Sequence, residues 1–332
     1  MDQTHAEDAD IVREADQAIA RLSDVRTAVS RVIIGQEAVV ELALAAILSG
    51  GHGLLVGAPG LAKTRLVSTL AVVLGLDSRR VQFTPDLMPA DILGSEVLDQ
   101  DPSGARSFRF VPGPIFCQLL MADEINRASP RTQSALLQAM QEHHVTVAGK
   151  PYDMPEPFHV LATQNPIEQE GTYPLPEAQL DRFLFQIDVE YPTLDAEREI
   201  LLATTGVSMA APAAVLTSQE LLGLQTLVRR MPVGEKTLET ILKLVRLARP
   251  DESPVEATRK FVAWGPGPRA GQALMIGARA RALLHGRLAP STEDVIALAK
   301  PALKHRMALS FGARAEGVAI DGLIDRLTEE LE

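Results

Sequence analysis

The sequence predicts an α/β domain followed by an all-α domain, and three observations carry this prediction. A short apolar run at Leu54–Val56 leads through a glycine-rich loop into a predicted helix at Thr64–Leu74. Two further apolar runs, Gln118–Asp123 and Phe158–Thr163, are typical of buried parallel strands. After residue 192 the chain becomes rich in alanine, leucine and arginine at helical spacing. Strands that alternate with helices indicate a parallel sheet, and the second half indicates a helical domain.

The other helices are predicted from apolar periodicity and from helix-breaking residues. Residues 8–30 place apolar side chains on one helical face, and Gln36–Leu48 reads as a second helix after Gly35. Residues 195–332 are predicted to form several helices, because breakers interrupt the pattern at Pro232–Gly234, Gly265–Pro268 and Ala289–Pro290.

Two hairpins are predicted within the first half of the chain. Each consists of two short runs of strand-forming residues around a good turn sequence. The paired runs are 95–100 with 105–111, around Asp101–Gly104, and 145–148 with 152–154, around Gly149–Lys150.

The composition is that of an ordinary globular protein of about two domains. The chain has 332 residues, of which 46% are hydrophobic and 23% charged, and a domain typically takes roughly 150 residues. Its 32 basic and 43 acidic residues give a formal net charge of −11. This balance disfavours binding to nucleic acid or to an anionic membrane surface, because both attract basic proteins.

Membrane and targeting signals are not found in the sequence. The longest clean apolar run near the start, Leu42–Leu48, is far short of the roughly 20 residues that span a bilayer. Residues 1–8 are acidic, unlike a signal or transit peptide. Cys117 is the single cysteine and cannot form an intramolecular disulfide, which fits a reducing compartment. We expect Cys117 to be a small residue of the core. The sequence therefore predicts a cytoplasmic protein without a membrane span.

The glycine-rich loop Gly57–Thr64 has the residue types that bind a polyphosphate. Between a strand and a helix, backbone N–H groups and the helix N-terminus can surround phosphate oxygens. Lys63 is placed to reach the β- and γ-phosphates, and the Thr64 hydroxyl to hold Mg²⁺. Ala62 stands where the strict pattern has glycine, which we interpret as a mild defect. The alternative interpretation is a bare glycine turn.

An acidic pair follows the second apolar strand, 60 residues after the loop lysine. Asp123 ends the strand and is predicted to support Mg²⁺, while Glu124 is predicted to polarise the attacking water. Both would lie beyond the carboxyl ends of parallel strands, where open α/β sheets bind their ligands. An Asp-Glu pair alone is commonplace, but together with the phosphate loop it indicates an ATPase.

These motifs together resemble the MoxR family of AAA+ ATPases over nearly the whole chain. In that family alanine is usual in the phosphate loop. The resemblance rests on the loop, on Val32–Gln36, on Asp123–Ala128, on Ala162–Pro166, on Leu175–Phe183 and on Pro266–Ala270.

The resemblance implies roles for four further groups of residues. Asn165 resembles sensor 1, which orients the water, and Arg182 resembles the arginine finger that reaches the nucleotide of a neighbouring subunit. Arg269 resembles sensor 2, which contacts the γ-phosphate from the lid of the same chain. Taken alone, Asn165 could instead cap a turn, Arg182 could be a solvated charge and Arg269 a loop arginine. The implied nucleotide-binding residues are Ile33, Ile34 and Gly35 around the adenine, and Gly57, Ala58, Pro59, Gly60, Leu61, Ala62, Lys63 and Thr64 around the phosphates.

The resemblance also implies a domain plan. An AAA+ core with its N-terminal helix is expected at 1–192 and a smaller helical lid that carries sensor 2 at 193–332. Within the core, a helix-2 insert is expected at about 93–114 and a pre-sensor-1 hairpin at about 143–157.

By the same resemblance, we expect Mg²⁺-dependent ATP hydrolysis by a homo-oligomeric ring, most simply a hexamer. The expected role is chaperone-like remodelling of a protein, for complex maturation or metal-cofactor insertion, with a von Willebrand factor A domain protein as partner. Two alternatives remain: a DNA-associated motor, which the acidic charge disfavours, and a nucleotide-gated scaffold with little turnover. The scaffold is disfavoured because Glu124, Asn165 and Arg182 are all present.

Overall fold

A five-stranded parallel sheet forms the centre of the first domain. The computed structural model describes residues 2–100, 106–168, 171–205 and 211–331, with side chains from residue 13 onward. The strands are β1 (Gly53–Val56), β2 (Ser78–Gln82), β3 (Gly94–Gln100), β4 (Arg106–Pro112), β5 (Leu119–Asp123), β6 (His144–Val147), β7 (Lys150–Asp153), β8 (His159–Gln164), β9 (Phe185–Asp188), β10 (Val262–Trp264) and β11 (Ala308–Leu309). The parallel sheet has the order β2-β5-β8-β1-β9.

Helices surround this sheet and form nearly all of the second half of the chain. They are α1 (Asp2–Ser30), α2 (Glu37–Leu48), α3 (Lys63–Val73), α4 (Pro89–Leu93), α5 (Pro130–Glu142), α6 (Glu177–Leu180), α7 (Leu194–Thr204), α8 (Ser218–Arg230), α9 (Glu235–Leu247), α10 (Glu256–Phe261), α11 (Pro268–Leu284), α12 (Thr292–Leu303), α13 (Phe311–Ala315) and α14 (Ile320–Glu329). Short 3₁₀ turns follow β5 at Ile125–Arg127 and α12 at Lys304–Arg306. The α/β fold with a helical second half confirms the predicted fold class.

The register of the sheet brings three polar strand ends to one edge. Val56 pairs with Gln164, so the phosphate loop and the end of β8 are adjacent. On the other side, Gln82 of β2 pairs with Asp123 at the end of β5. Because all five strands are parallel, their carboxyl ends form one rim on which a ligand can bind.

Alternate residues of the central strands β1, β5 and β8 pack into two cores, one on each face of the sheet. Leu55 and Leu161 belong to a large cluster with α1, α2, α3 and the C-terminal helices. Leu54, Leu120 and Val160 face the opposite cluster, which includes α5 and Cys117. Cys117 is fully buried, as expected for a small core residue. The central strands β5 and β8 are buried on both sides, which fixes the rim that carries the polar residues.

Two antiparallel hairpins project from the sheet. β3 pairs with β4, and β6 pairs with β7. Phe110 and Tyr152 stack across the two hairpins with ring centroids 3.9 Å apart. The turn predicted at Asp101–Gly104 lies outside the described residues. Among the described helices, none is long and apolar enough to cross a membrane.

Candidate active site

The loop between β1 and α3 depends on residues in unusual backbone conformations. Gly60 and Ala62 have φ angles of +84° and +57°, and Ala62 directly precedes α3. A Cβ on Gly57 would lie 2.5 Å from the carbonyl oxygen of Val189, so glycine is required there. A left-handed backbone costs an L-residue about 1–2 kcal/mol. Ala62 therefore carries backbone strain. From the sequence, alanine at this position was interpreted only as a mild defect, and this conformation was not predicted.

Lys63 folds back onto the loop that precedes it. Its Nζ donates hydrogen bonds to the carbonyl oxygens of Gly57 at 2.6 Å and Ala58 at 2.9 Å. Burial lowers the pKa of Lys63, while the carboxylates of Asp123 and Glu124 act in the opposite direction. The ammonium group is thus held beside both acids, and phosphate oxygens could take the place of the two carbonyls.

Asp123 ends β5 with its side chain held from two sides. The Thr163 hydroxyl donates to Oδ1 at 2.5 Å. The Arg80 guanidinium donates to Oδ2 through Nε at 3.1 Å and Nη2 at 2.6 Å. Because Arg80 lies on β2, the neighbouring strand neutralises this carboxylate.

Glu124 follows in a left-handed conformation, with φ +55° and ψ +51°. Its backbone N–H donates to the Thr163 hydroxyl at 2.8 Å. Its carboxylate accepts hydrogen bonds from Gln82 at 2.8 Å and from Arg127 at 3.3 Å. Non-glycine residues in this left-handed conformation are found preferentially at functional sites. Here the two neighbouring carboxylates have different hydrogen-bond partners.

The loop and the acids line one cleft, which we call the phosphate cleft. It has a volume of about 350 Å³. Its lining residues are Pro59, Gly60, Leu61, Ala62, Lys63, Thr64, Arg65, Asp123, Glu124, Thr163 and Asn165. Asn165 is buried and its Oδ1 accepts a hydrogen bond from the Ile167 N–H at 3.1 Å. Asn165 therefore caps its turn, and it also lies in the cleft.

A second cavity continues from the phosphate cleft, and we call it the base pocket. It has a volume of about 320 Å³ and shares Gly60–Ala62 and Arg65 with the cleft. Ile33 and Ile34 form one wall, and residues of α7 form another. A Cβ on Gly35 would lie 2.4 Å from the Cβ of Ala196 in α7, so glycine allows this helix to close the pocket. The apolar walls suit a planar base.

Arg182 and Arg269 lie together in a different cavity, which we call the arginine cavity. It has a volume of about 1050 Å³. It lies between the segments that precede β1 and β9 on one side and helices α9 and α11 on the other. Seven arginines line it: Arg182, Arg229, Arg246, Arg249, Arg269, Arg279 and Arg306. Among the described residues, none lines both this cavity and the phosphate cleft. The structure thus brings the two predicted arginines together, and it does not bring them to the phosphate cleft of their own chain.

A buried arginine fixes the segment that carries Arg182. Arg306 Nε donates to the Asp181 carboxylate at 2.7 Å, and its Nη2 donates to the Phe183 carbonyl at 2.7 Å. Arg269 approaches the other Asp181 oxygen at 3.7 Å. Arg306 is only 2% exposed, so this network holds the loop before β9 and the start of α11 in one arrangement.

Sequence reasoning missed four residues that line these cavities or hold their lining residues by hydrogen bonds. Arg80 and Gln82 were missed because β2, with one buried side chain, lacks an apolar pattern. Thr163 was predicted only as part of a strand, and the burial of Arg306 has no signal in its basic run Lys304–Arg306. Only the adjacency of β2 to β5 could have indicated Arg80 and Gln82.

The donors available for Mg²⁺ fit an ion that is bound partly by its substrate. The described part of the chain has no group of three or more histidine, cysteine or acidic residues arranged to hold a metal. Mg²⁺ in nucleotide enzymes needs only one or two carboxylates, because phosphates and waters complete its shell. Thr64 and Asp123 supply a hydroxyl and a carboxylate in the phosphate cleft.

Comparison with known proteins assigns this site to a class. Residues 52–185 match the family described as ATPase family associated with various cellular activities (AAA), and residues 256–327 match the AAA lid domain. The protein is therefore an AAA ATPase, which binds and hydrolyses ATP.

Individual relatives cover most of the chain. It is 42% identical over 302 residues to Chaperone MoxR1 of Mycobacterium tuberculosis, which is 91% of this chain and 79% of the relative. It is 31% identical over 325 residues to Protein MoxR of Paracoccus denitrificans, or 92% and 94% of the two chains. A crystal structure from Cytophaga hutchinsonii has a TM-score of 0.89 and 36% identity, and covers 97% of this chain and 98% of its own. The chain belongs to the MoxR family of AAA+ ATPases.

Proposed function

We propose that this ATPase works with Mg²⁺ in a ring of its own copies and uses hydrolysis to remodel a partner protein. The relative from Mycobacterium tuberculosis is named a chaperone, which supports the remodelling role. For this role we propose complex maturation or metal-cofactor insertion, with a partner protein that has a von Willebrand factor A domain. We also propose that the ring is a hexamer and that the protein is cytoplasmic.

The proposed chemistry uses the residues of the phosphate cleft. The loop N–H groups and Lys63 bind the phosphates, while Thr64 and Asp123 hold Mg²⁺, which when bound neutralises charge on the phosphate oxygens. Glu124 accepts a proton from the water that attacks the γ-phosphorus, and Asn165 orients that water. The new oxygen–phosphorus bond forms as the bond to the bridging oxygen of ADP breaks. Ile33, Ile34 and Gly35 position the adenine in the base pocket.

The observation that carries the ring proposal is the separation of the two arginines from the phosphate cleft. Arg182 and Arg269 line the arginine cavity with Asp181 and Arg306. Sequence reasoning expects Arg269 to act within its own chain, but its place beside Arg182 supports action of both arginines on the nucleotide of a neighbouring copy. An arginine supplied in this way contributes roughly 10³–10⁵ in rate. An isolated chain should therefore turn over ATP very slowly.

Mixing two inactive variants tests this proposal. Glu124→Gln should bind ATP without turnover, and Arg182→Ala should lose nearly all turnover. In an equimolar mixture, the intact cleft of an Arg182→Ala chain can meet the intact Arg182 of a Glu124→Gln chain, so ATPase activity should reappear. The wild-type rate per chain should also rise with protein concentration.

A surface arginine provides the matched control. Arg131 is exposed at the start of α5, so Arg131→Ala should keep the wild-type rate. A mixture that stays inactive, or an Arg182→Ala chain with the wild-type rate, contradicts the shared site.

A further inference from the structure

Arg306 is a buried cation whose guanidinium nitrogens all donate hydrogen bonds within the chain. The residue is only 2% exposed. Its Nε donates to the Asp181 carboxylate at 2.7 Å, and its Nη2 donates to the main-chain carbonyls of Asp181 at 3.2 Å and Phe183 at 2.7 Å. Its Nη1 donates to the carbonyls of Leu184 at 3.0 Å and Ala302 at 2.6 Å. Because a guanidinium is a rigid planar group, these bonds fix the acceptors relative to one another.

Most of these acceptors belong to residues 181–184, which we call the finger segment. The carbonyls of Asp181 and Phe183 lie immediately before and after Arg182 in the chain. His305 also donates from Nε2 to the Phe183 carbonyl, at 3.0 Å. The Arg182 side chain lines the arginine cavity and, within the described ranges, has no ion pair or side-chain hydrogen bond. The main chain is therefore held on both sides of Arg182, while its guanidinium stays available.

These hydrogen bonds connect the two domains. Arg306 lies in the region that matches the AAA lid domain, and the finger segment lies in the region that matches the AAA ATPase family. The same turn of the lid is joined to the core a second time, because Lys304 Nζ donates to Asp188 at the end of β9 at 2.5 Å. A buried ion pair adds little stability compared with apolar side chains of the same size. What Arg306 does impose is one arrangement of the finger segment relative to the lid.

We infer that Arg306 is the positioning residue for Arg182. Through the carbonyls on either side, the lid holds the Arg182 main chain in the arrangement from which its guanidinium reaches the phosphate cleft of a neighbouring copy. A displacement of about 1 Å can cost roughly 100-fold in rate, so the neighbour's turnover depends on this buried lid residue. The inference rests on the proposed function, because it concerns the arginine that the shared site requires.

Arg306→Lys tests this role. Lysine keeps the charge beside Asp181 but has its donors on one nitrogen, so it cannot bond the carbonyls on both sides of Arg182 at once. We expect kcat for ATP to fall at least about tenfold. The affinity of the variant for a fluorescent non-hydrolysable ATP analogue should stay within about twofold of wild type, because Arg306 does not line the phosphate cleft.

Two equimolar mixtures show on which side of the shared site the defect lies. With Glu124→Gln, the intact cleft of an Arg306→Lys chain can meet a correctly held Arg182, so ATPase activity should reappear. With Arg182→Ala, neither chain supplies a correctly held Arg182, so the mixture should stay as slow as the two variants alone. A loss of folded protein would lower both mixtures alike and would also weaken binding of the analogue.

Asp181→Asn is the second variant, for the case that Arg306→Lys does not fold and bind the analogue. It keeps the size of the side chain and its main-chain carbonyl, and it removes the charge to which Arg306 Nε donates. The same difference between the two mixtures is expected, with a smaller fall in kcat because the bonds to the other carbonyls remain.

Arg281 provides the matched control. It also lies in the lid match, and it joins α11 to α2 and α12 by donating to Glu41 at 2.9 Å and to the buried Asp294 at 2.6 Å. Arg281→Lys therefore loosens another partly buried ion network that does not include the finger segment. Its kcat should stay within about twofold of wild type.

The outcomes distinguish this inference from the proposed function. If the mixture of Glu124→Gln with Arg182→Ala is active, but a folded Arg306→Lys chain has the wild-type kcat or behaves alike in both of its mixtures, then Arg306 does not position Arg182 and the shared site stands. An equal loss of kcat in Arg281→Lys also overturns the inference, since any loosening of the lid would then suffice. If the mixture of Glu124→Gln with Arg182→Ala is inactive, the shared site fails and the inference fails with it.

Discussion

At the scale of single residues, Arg80 forms an ion pair with the carboxylate that we expect to support Mg²⁺. Its Nη2 lies 2.6 Å from Asp123 Oδ2, and the Arg80 side chain is 53% exposed. A cation that binds Asp123 must compete with this guanidinium. Because exposed ion pairs are worth up to about 1 kcal/mol, Arg80→Met should lower the Mg²⁺ concentration for half-maximal binding of a non-hydrolysable ATP analogue by about two- to fivefold. A fluorescent analogue titrated with Mg²⁺ measures this.

Arg79 provides the control for this experiment. It precedes Arg80 on β2 and points to the opposite face of the strand, so Arg79→Met should leave the Mg²⁺ titration unchanged. If Arg80→Met instead raises the Mg²⁺ requirement, Arg80 positions Asp123 for the metal and does not compete with it.

The residues of the phosphate cleft were predictable because their positions follow from strand ends. Lys63, Asp123 and Asn165 each follow an apolar run, and parallel strands bring such ends together. Arg80 reaches the Asp123 carboxylate only because its long side chain extends across from a polar edge strand, and such reach has no sequence pattern. The roles given to Glu124, Asn165, Arg182 and Arg269 stay predictions.

At the scale of elements, helix α11 contacts the sheet through a glycine. A Cβ on Gly277 would lie 2.4 Å from Cζ of Phe185 in β9 and 3.2 Å from Cδ1 of Leu298. Phe185 is fully buried, so its ring has little freedom to move. Although alanine usually stabilises a helix interior by roughly 0.5–1 kcal/mol, we expect Gly277→Ala to lower the free energy of unfolding by about 1–3 kcal/mol through overpacking. Denaturant unfolding measures this.

The same helix contains a matched control. A Cβ on Gly271 would lie 3.8 Å from Ile241 and 3.9 Å from Val245, which is ordinary contact. Gly271→Ala should therefore leave stability unchanged or raise it. Equal effects of the two alanines would show that the α11 contact with β9 is loose.

The elements that sequence reasoning found and missed differ in burial. β5 is buried along its whole length and β8 along nearly all of it, and their apolar runs indicated them. β2 has one buried residue, Val81, and its polar sequence gave no strand pattern. The division of the chain at 192/193 remains a proposal. Contacts such as Gly277 against Phe185 join the two predicted domains in one core, and tertiary contacts of this kind leave no local signature.

At the scale of the whole molecule, three buried histidines should make stability depend on pH. Burial lowers the pKa of His52 to about 3, that of His159 to about 4 and that of His305 well below its ordinary value. Each ring already has partners: His159 donates to the Gly51 carbonyl, and His52 accepts from the Val160 N–H. Unfolded histidines bind protons below about pH 6.5. The unfolded state therefore takes up more protons, and the free energy of unfolding should fall as the pH drops.

The expected slope is up to about 1.4 kcal/mol per pH unit for each histidine between pH 6.5 and 4.5. Urea unfolding at several pH values measures it, and His159→Gln should reduce the slope. His144 is partly exposed on β6, so His144→Gln should keep the slope of the wild type. Constant stability from pH 7 to 5 would contradict the prediction, because it would show that these histidines have the same pKa values in the folded and unfolded states.

The separation of the phosphate cleft from the arginine cavity also gives an assembly two unlike ends. In an open row of copies, the first keeps a cleft without a neighbour's arginines, and the last keeps arginines without a cleft to serve. Only a closed ring leaves neither a cleft without a neighbour's arginines nor arginines without a cleft. A single chain of Arg182→Ala that enters a closed ring should silence the site of one neighbour while its own cleft continues to work. The ATPase rate per chain should therefore be proportional to the number of contacts in which the cleft of one copy meets an intact Arg182 of the next.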